Sequence, residues 1–287
     1  MSTPVVIYHG SNCLDGFGSA YAAWRYFHLE QGIRAEYQAA SHGEAPPNCQ
    51  GRDVYILDFS YKRPVLTALC QVARKVVILD HHISAQQDLA GLDQEFSNLE
   101  VVFDMNRSGA VITWEYFHRT PLPRLLAAVQ DRDLWQFRIP DSQHINSALM
   151  SHPLDFELWH SFARSEEDLE RLAHEGRAIN RYRDQMIAQY RSRAVLGSIA
   201  GHEVPIVNCP LAIVSELVGE LAVGYPFAAG YTDKGTKRGW SLRSTAEGLN
   251  VAEIASRFGG GGHARAAGFA TEIPAELLQI SPKASAS

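Results

Sequence analysis

The chain has 287 residues, 46% of them hydrophobic and 20% charged, with a formal net charge of −6 and a pI near 6.0. That length suits two domains or one large α/β domain, and it can bury a core without disulfides or a structural metal. The charge excludes a globally cationic nucleic-acid coat, and no apolar run approaches the roughly 18 residues of a membrane span.

In chain order, residues 5–8 read as a buried strand and 16–30 as a helix. A second strand at 54–57 precedes a helix over 63–74. A third strand lies at 76–79 and a fourth at 101–103, before helical patterns at 109–117 and 123–130. Short apolar runs alternating with helices predict an α/β fold, a parallel sheet with helices on its faces, whose ligands sit at the carboxyl ends of the strands. Residues 165–185 are charged and read as a connecting helix, opened by Ser165 as N-cap with Glu166, Glu167 and Asp168 in the first turn. Strand-like runs return from residue 195, at 205–207, 227–231 and 239–243, with helices at 212–222 and 251–258. A run of four glycines and His263 comes next.

The expected layout is a catalytic domain over 1–164, a connecting helix over 165–194, and a smaller mixed α/β substrate-binding domain over 195–280. The tail, 281–287, is expected to be disordered. Residues 1–165 carry 13 basic and 18 acidic side chains, whereas residues 191–287 carry 9 and 8. The second domain is the less acidic one, and it holds the cluster Lys234, Lys237, Arg238 and Arg243. The start, MSTPVVIYHG, lacks the pattern of a secretory signal. Cys13, Cys49, Cys70 and Cys209 have no short spacing, so a reducing, cytoplasmic setting is expected.

Three predicted strands end in metal-ligand residue types. The first runs into His9 and, six residues on, Asp15. The second ends at Asp58, the third at Asp80-His81-His82. The apolar run LLAAV ends at Gln130-Asp131-Arg132-Asp133. Singly, such residues are helix caps, turn formers or partners of Arg132 and Arg138. Their shared place at one sheet edge is what separate explanations do not predict. Carboxylates and imidazoles converging there form a hard anionic pocket suited to Mn²⁺ or Mg²⁺. Two such ions, about 3.5–4 Å apart, activate a water and clamp a phosphoryl group.

Asp80-His81-His82 resembles the signature of the DHH phosphoesterases, and the other motifs stand in that family's order. The first reads His9-Gly-Ser-Asn-Cys13-Leu-Asp15-Gly16, the second is Asp58 after VYIL, and the fourth is matched best by Asp131 in AVQDRD. Gly260-Gly261-Gly262-His263 with Ala266-Ala267-Gly268 resembles the glycine-rich motif of the DHH-associated C-terminal domain, of RecJ and nanoRNase type. The resemblance implies that Asp58 bridges two metals. Asp15, His81 and Asp131 then complete one site, and His9 and residue 13 the other. Asp80 orients a ligand histidine, and His82 contacts the phosphate or donates a proton. The family has Asp where this chain has Cys13, which leaves open a thiolate ligand, a thiol turned away, or an amide oxygen from Asn12.

Substrate contacts are expected from Arg107 and Ser108 at a helix start and, in the second domain, from Arg243, the glycine backbone and His263. Together these readings imply an Mn²⁺-dependent phosphodiesterase or exonuclease, with Mg²⁺ or Co²⁺ as alternative ions. It acts through a metal-activated hydroxide on short oligonucleotides, dinucleotides or single-stranded DNA or RNA ends. Base stacking is offered by Trp135, Phe137, Tyr231 or Trp240. The alternatives are an exopolyphosphatase or pyrophosphatase, and a nucleotide-binding regulator with catalysis weakened at Cys13.

Overall fold

The runs VVIYH, DVYIL and KVVILD place apolar side chains on both alternating faces, as strands do when helices cover a sheet on two sides. The protein, described here by a computed structural model over residues 2–10 and 13–274, is α/β. It divides into two compact units, one reaching Asn180 and one starting at Arg181.

The first unit runs β1 (Val5–His9), α1 (Leu14–Trp24), β2 (Glu36–Ala40), β3 (Asp53–Leu57), α2 (Arg63–Val72) and β4 (Lys75–Asp80). After these come α3 (Ile83–Asp88), α4 (Leu92–Glu95), β5 (Leu99–Phe103), α5 (Gly109–Phe117), α6 (Arg124–Asp133), α7 (Ser142–Ser151) and α8 (Phe156–Phe162). Its strands form one sheet in the order β2-β1-β3-β4-β5, and every neighbouring pair is parallel. Val5, Ile7, Val54, Ile56, Val76 and Ile78 enter one core cluster. Val6, Leu57, Val77 and Leu79 enter another, the period-two division of a sheet buried on both faces. Strand register sets which residues leave the sheet together. Tyr8 pairs with Leu57, and Leu57 with Leu79, so the next residues, His9, Asp58 and Asp80, emerge side by side at the carboxyl edge.

The second unit contains β6 (Val195–Ile199), β7 (His202–Asn208), α10 (Leu211–Leu221), β8 (Ala228–Lys234), β9 (Lys237–Arg243), α11 (Val251–Ser256), β10 (Gly261–His263) and β11 (Ala266–Glu272). The sheet order is β10-β11-β9-β8-β7-β6. Only β7 and β8 pair in parallel among the described strands; the other pairs are antiparallel. Val204, Phe227, Leu242, Val251, Ile254 and Phe269 form its core.

Several elements differ from the sequence expectation. The helix expected over 16–30 is α-helical only to Trp24 and continues as a π-helical turn, Arg25–Glu30. His118 Nε2 donates to the Ala22 carbonyl at 2.9 Å, an oxygen that the α pattern reserves for the amide of residue 26. Strand β2 is unexpected because it is a sheet edge: in EYQAA only Ala40 is buried. The helix expected to end at residue 130 continues to Asp133. The expected connecting helix is α9 (Glu166–Arg191), and the division between the units falls inside it. Asn12 and the tail 281–287 lie outside the described residues.

Candidate metal centre

Asp58 stands at the middle of the carboxyl edge, in the left-handed backbone region with φ 53°. Its Oδ2 lies 3.5 Å from His9 Nδ1 and 3.5 Å from Cys13 Sγ, while its Oδ1 lies 3.1 Å from His81 Nε2. The same His81 nitrogen is 3.7 Å from Asp15 Oδ2 and 3.5 Å from Asp133 Oδ2. Asp15, Asp58 and His81 are all buried. Within the first unit, three sets place their ligand atoms within 4.8 Å of one another: His9, Cys13 and Asp58; Asp15, Asp58 and His81; Asp58, Asp80 and His82. Asp58 is common to these three.

The packing that holds Asp58 explains Gly109. A Cβ on Gly109 would sit 2.5 Å from the Cβ of Asp58, so only glycine lets α5 approach this closely. The first-turn amides of α5 then donate to Asp15, Gly109 N to Oδ2 at 2.6 Å and Ala110 N to Oδ1 at 3.1 Å. Charge on Asp15 is favoured by the helix N-terminus, which is thereby filled by a carboxylate of the protein itself. Ser108 caps α5 and is buried, and its backbone N–H donates to Gln130 Oε1. Arg107 is ion-paired to Asp104 and Glu115. Of the expected phosphate contacts, Ser108 is thus the helix cap and Arg107 is engaged in ion pairs within the protein.

Asp80 lies at the end of β4, beside the cluster, and is fully engaged in hydrogen bonds. It accepts from Ser60 Oγ at 2.7 Å, from the His81 amide at 2.7 Å, and from His82 Nδ1 at 2.6 Å. In that last bond Nδ1 is the donor, which orients the His82 ring. Sequence reasoning misses Ser60, because a hydroxyl two residues past Asp58 carries no distinctive pattern. It also misses His42, in the loop after β2, whose ring centroid is 6.3 Å from that of His9 and 5.1 Å from that of Phe59.

The fourth motif needs correction. Asp131 is buried, and its carboxylate accepts from Arg138 N (2.8 Å), Ile139 N (3.0 Å) and Ser142 Oγ (2.6 Å). Its oxygens are committed to the loop beyond α6. Asp133 stands in the cluster instead. Its Oδ2 is buried and, among the described residues, accepts no hydrogen bond.

The electrostatics of the cluster favour a cation. Burial, then the charges of Asp58 and Asp133, push the Asp15 carboxyl well above its usual range. Burial opposes charge on Asp58 too, but hydrogen bonds from His81 and His9 outweigh it and hold Asp58 well below that range. Burial works against a proton on His81, yet the bond to Asp58 and the charges of Asp15, Asp58 and Asp133 prevail and raise it to about 10. Burial, then Asp58, Asp133 and Asp15, push the Cys13 thiol up. Three carboxylates around one imidazole, Asp15 and Asp58 buried and Asp133 half-buried with an Oδ2 that accepts no hydrogen bond among the described residues, fit a divalent cation, which neutralises what a single His81 proton cannot. The oxygen and imidazole donors suit Mn²⁺ or Mg²⁺, and the thiol a softer ion.

In the second unit, Arg243 ends β9, its Nη2 donating to Ser215 Oγ at 2.8 Å. The glycine run is in part a strand. A Cβ on Gly260 would collide with the Gly268 carbonyl, so this glycine is required by hairpin packing. Gly261, Gly262 and His263 form β10, paired to β11. Arg238 of the basic cluster is paired to Asp233. No described helix is long and apolar enough to cross a membrane.

No family model matches the chain. It is 31% identical over 293 residues to the uncharacterized protein R106 of Acanthamoeba polyphaga mimivirus, an alignment covering 93% of this chain and 67% of that protein. Among solved structures, the DHH domain of a protein assigned to a ribosomal protein family aligns with a TM-score of 0.59 at 11% identity, covering 96% of this chain and 85% of that one. The chain belongs to the R106 family and has the DHH superfamily fold. RecJ from Thermus thermophilus, in complex with Mn²⁺, shares this fold with a TM-score of 0.52 at 14% identity, over 95% of this chain and 50% of RecJ. The DHH fold gathers His9, Asp15, Asp58, His81 and Asp133 of this chain at one sheet edge, with Asp80 and His82 beside them.

Proposed function

We propose that the protein is a metal-dependent phosphodiesterase acting on short oligonucleotides, dinucleotides or the ends of single-stranded nucleic acid. The observation that carries this reading is the cluster of Asp15, Asp58 and the half-buried Asp133 around His81. The presence of Mn²⁺ in the RecJ complex, which has the same fold, supports it.

Asp15, Asp58, His81 and Asp133 are assigned to one divalent ion, and His9, Cys13 and Asp58 to a second. Such ions supply Lewis acidity, activating a water and neutralising the phosphoryl oxygens. The chain's own groups do the rest. Gly109 and Ala110 amides hold Asp15 in place, and Asp80 holds the His82 ring. Oriented in this way, the His82 ring is the candidate to contact a phosphoryl oxygen or to deliver a proton to the departing oxygen. On the second unit, Arg243, Gly260, Gly261, Gly262 and His263 are the candidate nucleotide contacts.

The test is hydrolysis of an end-labelled dinucleotide with added Mn²⁺. Asp58→Ala and His81→Ala should each lower kcat by at least a hundredfold, in line with loss of a metal ligand. Cleavage at wild-type rates by both variants would refute the reading. Run beside single-stranded DNA and RNA labelled at either end, cyclic dinucleotides and polyphosphate, the assay also assigns the substrate. Phosphate release from polyphosphate outpacing every nucleotide would replace the phosphodiesterase by a phosphoanhydride hydrolase.

A further inference from the structure

Immediately beyond Asp133 the backbone does something unusual. Trp135 and Phe137 both occupy the left-handed region, with φ 55° and 51°. For bulky residues that conformation is strained and persists only where surroundings enforce it. Here Asp131 enforces it: its main-chain oxygen accepts from Gln136 N at 2.8 Å, and its carboxylate accepts from Arg138 N and Ile139 N. The result is an indole 44% exposed, braced edge-on by Phe137 with ring centroids 4.7 Å apart and planes at 73°. Strain held in order to bury a side chain would be ordinary. Here it is held around a tryptophan that stays in solvent, two residues from a member of the carboxylate cluster and so within about 7.6 Å of it along the chain.

We propose that Trp135, supported by Phe137, is the platform on which a nucleobase of the substrate stacks. The inference rests on the phosphodiesterase reading and deepens it. An exposed aromatic face carried two residues from a member of the carboxylate cluster suits the base next to the reacting phosphate, and stacking of this kind is tolerant of base identity. Polyphosphate and pyrophosphate offer nothing flat to such a face. Asp131 is then a positioning residue, acting through the loop that carries the platform.

The experiment compares wild type, Trp135→Ala and Trp135→Phe on a dinucleotide and on its abasic counterpart, with Mn²⁺, and measures AMP binding by calorimetry. Trp135→Ala should raise KM for the dinucleotide on the order of tenfold, the scale of one lost stack, and weaken AMP to the same degree. It should leave kcat and the abasic substrate within about twofold, and Trp135→Phe should recover most of the loss. Equal losses on both substrates, or no loss on either, would overturn the platform while leaving the phosphodiesterase standing. If wild type cleaves neither substrate, the phosphodiesterase reading falls, and AMP binding then decides the platform: affinity unchanged in Trp135→Ala overturns it, and affinity lost upholds a base-binding face. A change in oligomeric state with nucleotide binding intact would make Trp135 a protein contact and overturn the proposal.

Discussion

Asp131 and Asp133 sit two residues apart on α6, and their carboxylates meet different partners. Residues i and i+2 of a helix point about 200° apart, so only one of the two can reach a given site. Asp131→Asn should cost about 1–3 kcal/mol of stability in urea denaturation, the range for a buried group left with imperfect partners. Asp133→Asn should leave the metal-free protein as stable or more so, because one of several crowded like charges is removed. In calorimetry it should weaken divalent-ion binding at least tenfold. Titration supplies a second check. His81 has its folded pKa raised from 6.5 to about 10, so its contribution to stability is full below 6.5 and is lost as pH rises toward 10. In EDTA the melting temperature should fall across that window. With Mn²⁺ the fall should be reduced, since the neutral imidazole is the ligand form. The residue types at the sheet edge are readable from the sequence because each comes directly after an apolar run. The choice between Asp131 and Asp133 is not, since it depends on which helix face turns inward.

At the level of elements, the parallel strands are legible from VVI, VYIL, VVIL and VVF, runs of consecutive apolar residues. Strand β2 is not, because an edge strand needs no continuous apolar run. At the start of α5, where a phosphate is expected, the structure has a feature the sequence hides. Asp15, far away in the chain, fills that helix N-terminus. The close approach of α5 to β3 makes a sharp prediction. Gly109→Ala would drive a methyl to 2.5 Å from Asp58 Cβ, so either the helix or Asp58 must move. Metal affinity should drop at least tenfold with a loss of about 1–3 kcal/mol in stability, measured by calorimetry and urea titration. Gly261→Ala, whose Cβ meets nothing within 4 Å, should be near neutral to stability and serves as the control.

For the molecule as a whole, the charge map has a physical reading. The acidic excess of residues 1–165 belongs to the unit that concentrates buried carboxylates, and bound divalent ions would offset much of it. Ion binding to the folded state alone should stabilise by about 2.7 kcal/mol at a hundredfold excess over Kd. Thermal melts should therefore shift up by several degrees with Mn²⁺ and return with EDTA.

The wholly parallel sheet has one more consequence, in the time domain. None of its strand pairs is a hairpin, so every pairing closes a long loop, whereas β8 and β9 pair across a two-residue turn, Gly235-Thr236. Topologies dominated by distant pairings fold slowly. Refolding after dilution from urea should accordingly be biphasic, with the buried tryptophans of the first unit, Trp24, Trp114 and Trp159, reporting the slower phase. Mn²⁺ should leave that phase nearly unchanged and retard unfolding, because residues 15, 58, 81 and 133 can share an ion only after the strands and helices that carry them have met.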